Sequence, residues 1–134
     1  MRLSYFSDTK KLYIVLDKNH DDSILANLVV QSQSLKLTHN ASLIRGVSVT
    51  KESSDPSLDF VSRYFAPWNG IDEDPVNGSS HTNLTPYWSH KLDKAKLTAK
   101  MLSKRTGVLK LEAHTDYTSI GGTTVIISQG DLLV

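Results

Sequence analysis

Apolar and polar positions change period several times along the chain, and each change marks an element. Lys11 to Leu16 is rich in β-branched and aromatic residues and follows the turn-forming Ser7-Asp8-Thr9-Lys10, so it predicts a first strand. Asp21-Asp22-Ser23 offers side-chain caps to a short helix whose Ile24, Leu25 and Leu28 share one face and which ends by Val30. Leu43 to Thr50 reads as another strand, with Ile44, Val47 and Val49 alternating imperfectly around Gly46 in the manner of a bulge. The polar run Lys51 to Ser57 reads as a loop. In Asp59 to Phe65, Phe60 and Tyr64 face opposite Val61, Arg63 and Phe65, and bulk on both faces predicts a central strand.

A long loop, Asn69 to His81, then holds two glycines, a proline and the consecutive acids Asp72, Glu73 and Asp74. It delivers a helix from about Ser79 to Leu92, on which Leu84, Tyr87, Trp88 and Leu92 form one apolar face. Such a helix is about 21 Å long, enough to cross a small domain. Pro86 lies inside it and predicts a kink or a short first turn. Leu97 to Leu102 fits strand or helix, whereas Val108 to Ala113 alternates as a strand. Ser119 to Ser128 carries the β-branched run Thr123 to Ile127 behind Gly121-Gly122 and predicts a further strand, followed by a turn at Gly130-Asp131 before Leu132-Leu133-Val134. The sum is an α+β fold, a mostly antiparallel sheet with one substantial helix, in a single domain over residues 1–134.

Composition narrows what such a domain does. With 134 residues, 39% of them hydrophobic, it can bury a core without disulfides or a structural metal. The absence of Cys excludes a thiolate nucleophile, a Cys-ligated zinc and a dithiol redox motif. A balance of 15 Lys and Arg against 14 Asp and Glu gives no reason to expect a nucleic-acid or membrane partner. His20, His39, His81, His90 and His114 show no metal-ligand spacing, and no window resembles a membrane span. The opening residues lack a secretory pattern, so the expected compartment is the cytosol, where the sequons at Asn40, Asn77 and Asn83 would meet no glycosylation machinery.

Candidate chemistry concentrates in Asp74 to Ser80. Gly78 lets the chain approach a ligand closely, and the free N–H groups opening the following helix favour a small carboxylate or phosphate. Ser79 adds a hydroxyl, and Asp74, if partly buried beside Asp72 and Glu73, adds a carboxyl of raised pKa. The same residues also admit a plainer reading. Asp74 or Asn77 can simply cap the helix, three acids can form a solvated surface, and His81 can be a bystander on the first turn.

The segment Ser62-Arg63-Tyr64-Phe65-Ala66-Pro67-Trp68, followed by Gly70-Ile71, Glu73-Asp74-Pro75-Val76, Gly78-Ser79, His81 and Pro86-Tyr87-Trp88, closely resembles the phenazine-biosynthesis-like (PhzF-like) family. The whole chain looks like the C-terminal half of such a protein. The resemblance implies a diaminopimelate-epimerase-like domain, a sheet curled around the central helix, with the active site in a cleft between two such domains. It implies isomerase or epimerase chemistry that moves protons on a small carboxylate substrate without a metal or organic cofactor. Asp74 then matches the family's cleft aspartate and Ser79 the serine at the helix head, with Gly78 and the adjoining amides holding the substrate's anionic group. Asn77 and Ser80 belong to the same substrate-binding loop, standing where Thr and Ala are usual.

The family's general base, a glutamate, and its assisting histidine lie in an N-terminal domain, and nothing in residues 1 to 60 resembles either. The expectation is a truncated protein with half an active site. Losing a proton-transfer base costs on the order of 10²–10⁴-fold in rate. A homodimer or a complementing domain would have to complete the cleft. The alternative is a catalytically inactive domain that binds a small anion or a protein.

Overall fold

The chain begins as a hairpin of two strands, Arg2–Phe6 (β1) and Lys11–Val15 (β2), paired antiparallel. The structure is a computed structural model that describes residues 1–38 and 41–131. Two short helices, Ser23–Ala26 (α1) and Ser32–Lys36 (α2), carry the chain across to Gly46–Glu52 (β3), which lies parallel to β2. Phe60–Ala66 (β4) pairs antiparallel with β3, and a 3-10 turn at Pro67–Asn69 leads into Ile71–Asp74 (β5), which folds back on β4. The long helix Gly78–Leu92 (α3) crosses to Lys96–Met101 (β6), parallel to β4. Antiparallel strands Gly107–Ala113 (β7) and Thr118–Gly121 (β8) complete the sheet. The order is β1-β2-β3-β4-β6-β7-β8, with β5 beside β4. Its two parallel pairs need long crossovers, and α1 with α2, and then α3, provide them.

The sheet is covered on both faces. Phe60, Tyr64 and Ala66 of β4 turn to one side, where they meet Leu84 and Trp88 of α3 with Leu97, Ala99, Met101, Leu109 and Leu111. Val61 and Phe65 turn to the other and pack with Val49 and with Leu25 of α1. The two faces expected for Phe60 to Phe65 are therefore both core, and every residue of β4 is buried. Trp88 stacks on Phe60 at 5.4 Å and donates its indole N–H to Thr50 Oγ1 at 3.1 Å, which ties α3 across the sheet centre. Burial of one such side chain stabilises by about 1.5–3 kcal/mol.

The mixed, mostly antiparallel sheet and the long helix agree with the α+β reading, while several boundaries move. α3 runs as one 15-residue helix through Pro86. The helix at Ser23 is a single turn, and Asp22 does not cap it: its carboxylate binds the ammonium of Lys51 and the hydroxyls of Ser53 and Ser54. That contact explains why Lys51, expected in a loop, lies fully buried in β3. Gly46 opens β3 in continuous register without a bulge, and glycine is needed there because a Cβ would stand 2.0 Å from the Tyr64 hydroxyl. Leu97 to Leu102 resolves as strand β6. The strand expected from Ser119 to Ser128 stops at Gly121, and Val125, Ile126 and Ile127 are exposed without regular structure. Leu132-Leu133-Val134 and the sequon residue Asn40 lie outside the described residues. No helix among the described residues is long and apolar enough to cross a membrane.

Candidate active site

β5 separates the three acids. Asp72 is exposed, and Glu73 forms a two-point ion pair with Arg63, Nε to Oε1 at 2.6 Å and Nη2 to Oε2 at 2.8 Å. Arg63 is buried in β4, and its remaining Nη1 donates to the carbonyls of Leu25, Ala26 and Leu28 at the end of α1. Glu73 is thus the structural counter-charge of Arg63. Asp74 is left at the mouth of the loop, half-buried, where Oδ1 accepts from Val76 N–H at 3.2 Å and Oδ2 from Asn77 Nδ2 at 2.7 Å.

Asn77 is the centre of the site. Its Oδ1 accepts from Ser80 N–H at 2.6 Å, which makes it the N-cap of α3, and from the Ser79 hydroxyl at 3.1 Å. Its carbonyl lies 2.6 Å from His81 Nδ1, so Nδ1 carries the proton and donates. One side chain therefore holds Asp74, Ser79 and the first turn of α3 in fixed relation. The loop is pinned from outside as well: Asn77 N–H donates to Met101 Sδ at 2.9 Å, and Ser103 Oγ donates to the Pro75 carbonyl at 2.5 Å.

The backbone N–H groups of Gly78 and Ser79 have no hydrogen-bond partner among the described residues, and both residues are exposed. They sit at the positive end of the α3 dipole. A cleft of about 490 Å³ opens beside Gly78, walled by Val76 and by the β6–β7 turn with Arg105. Ser79 and Gly78 present outward as the sequence suggests. Ser80 does not. It is fully buried, its carbonyl accepts from Tyr13 OH at 3.1 Å, and its hydroxyl turns back to the Asn77 carbonyl at 3.3 Å.

Two residues hold places that the sequence does not assign them. His81, read as a bystander on the first turn, is fully buried, stacks on Phe60 at 5.8 Å, and its Nε2 has no partner among the described residues. Burial, together with the nearby Lys11 charge, pushes its pKa down to about 4 against the opposing pull of the Asn77 carbonyl. Lys11 was read only as the start of a strand, yet its Nζ reaches the Ser79 carbonyl at 2.7 Å and the Ser79 hydroxyl at 3.0 Å. The signal available was a charged residue opening an otherwise apolar strand, which is too common to single out. No three His, Asp or Glu among the described residues gather as a metal site.

Relatives place this geometry in a family. Phenazine biosynthesis-like domain-containing protein 1 of mouse is 38% identical over 135 residues, covering 97% of this chain and 47% of its own length. A Pseudomonas aeruginosa protein named as an uncharacterized isomerase is 46% identical over 86 residues, 64% of this chain and 32% of its own length. A crystal structure of a phenazine biosynthesis protein of the PhzF family from Enterococcus faecalis superposes with a TM-score of 0.81 at 35% identity, over 98% of this chain and 46% of that one. The chain spans about half the length of the mouse relative and of the Enterococcus faecalis protein. With the sequence model for phenazine biosynthesis-like proteins matching residues 4–130, the chain belongs to that family.

Proposed function

We propose that this chain is a PhzF-like isomerase or epimerase domain, with the diaminopimelate-epimerase-like arrangement of a sheet and central helix. It contributes half of a cofactor-independent acid/base site for a small carboxylate substrate. The observation that carries the reading is the gathering of Asp74 and Ser79 by Asn77 beside the unpartnered Gly78 and Ser79 amides. The substrate carboxylate takes those amides, the Ser79 hydroxyl orients it, and Asp74 exchanges a proton at the adjacent carbon. The opposing base comes from a second chain, either another copy or a complementing domain, in the cytoplasm.

A second reading follows from one feature of the same geometry. Both Asp74 oxygens are already engaged by Val76 and Asn77, which suits anion binding without turnover.

Amide NMR titration with malonate tests the shared element: the Gly78 and Ser79 resonances shift on binding, and Ser79→Ala weakens binding about fivefold, one hydrogen bond's worth. Unmoved Gly78 and Ser79 amides would sink the anion site. Solvent deuterium incorporation into a carboxylate substrate separates the two readings. In a completed site, Asp74→Asn lowers that exchange on the order of 10²–10⁴-fold.

A further inference from the structure

Lys11 occupies an unusual place for a cation. It is 8% exposed, and its ammonium sits against the first turn of α3, at the end of the helix dipole that repels positive charge. No carboxylate among the described residues forms an ion pair with it. Its polar contacts are the Ser79 carbonyl and hydroxyl, and on the inner side the Tyr64 ring lies 5.7 Å away. A buried charge without a counter-charge is costly, and it is tolerable where a ligand supplies the missing sign. Ser79 itself is exposed, so it forms the layer between Lys11 and solvent at the head of α3.

We infer that Lys11 is the positioning residue and fixed counter-charge of the anion site: it orients the Ser79 hydroxyl and attracts the substrate's anionic group through that layer. This rests on the anion-site reading given above and adds to it the requirement for an ammonium. The bound anion favours charged Lys11, so affinity is full while Lys11 is protonated and falls as pH rises through its pKa. Burial lowers that pKa, which brings the fall to a pH below the ordinary lysine range.

The groups facing Lys11 are Tyr64 of β4, His81 of α3 and, on its own strand, Tyr13; Asp74 of β5 acts on Tyr64. Burial pushes both tyrosines upward and His81 downward, while it pushes Lys11 down from the ordinary lysine range.

Malonate, a dianion throughout that window, is titrated into wild type, Lys11→Met and Lys11→Arg by calorimetry from pH 7 to 10, with Gly78 and Ser79 amide shifts reporting the location. At pH 7 Lys11→Met binds about tenfold more weakly, the loss expected for a charge-assisted contact. Lys11→Arg, charged at every pH used, keeps its affinity where wild type loses its own. Equal affinity of a folded Lys11→Met and wild type overturns the role of Lys11 and leaves the anion site standing. Absence of malonate shifts in wild type overturns the anion site and this inference with it. Should Lys11→Met fail to fold, the pH comparison of arginine with lysine decides alone, and parallel loss of affinity in both overturns the charge role.

Discussion

At the scale of single residues, His81 links the site to folding. It is buried with Nδ1–H on the Asn77 carbonyl and Nε2 unpartnered, so the folded protein resists its protonation. Its pKa falls from 6.5 to about 4. The unfolded chain therefore binds a proton that the folded one refuses between those values, and stability present above pH 6.5 is lost as pH falls toward 4. The shift corresponds to about 3 kcal/mol at its limit. Urea unfolding across this range should show that loss in wild type and a flatter profile in His81→Gln, after allowance for the acids. An equally steep profile in the variant would assign the effect to other groups. Asn77, whose carbonyl holds His81, divides its side chain between two tasks. Its Nδ2 donates to Asp74 while Oδ1 caps the helix.

Among the elements, β3 and β4 show what close approach demands. Tyr64 is 6% exposed and lies across Gly46, so any side chain at Gly46 displaces a ring that also shelters Lys11. Gly46→Ala should cost about 1–3 kcal/mol, read as a lowered thermal midpoint, because the ring has little space to yield. An unchanged midpoint would show that Tyr64 moves freely. The elements legible in the sequence were those with strong periodicity and burial: β4 and β7 through their alternation, α3 through Leu84 and Trp88. β1, α2 and β5 were not legible. β1 exposes Leu3 and Tyr5 at the sheet edge, α2 buries nothing, and β5 is four residues of which three are acidic. Their structure comes from pairing and crossover geometry, which no local pattern encodes. The site divided in the same way. Asp74, Asn77, Gly78 and Ser79 are adjacent in sequence and could be read together, whereas Lys11 joins Ser79 across 68 positions.

For the whole molecule, the open side of the site and the exposed apolar surface pose one question. The β-branched run Thr123 to Ile127 has the composition of a strand, yet Val125, Ile126 and Ile127 are 81%, 83% and 94% exposed. It leaves the sheet beside Gly121-Gly122, which line the same cleft as Gly78. Strand-forming apolar side chains in water favour association, through pairing with a free edge such as β1 of another copy. A dimer formed this way would cover the apolar arm and the cleft beside Gly78, and the two-chain site proposed above requires that it also face two copies of the Asp74 loop, one carboxylate serving as acid and the other as base. Sedimentation should then show dimer at micromolar concentration, and Val125→Lys with Ile127→Lys should return it to monomer without altering the thermal midpoint of the core. Malonate binding at Gly78 and Ser79 would survive that change, because the amides, Ser79 and Lys11 belong to one chain. Proton exchange would not survive it, because the second carboxylate belongs to the other. A wild-type protein that is only monomeric at these concentrations removes the paired-copy cleft and leaves a complementing domain or anion binding without turnover.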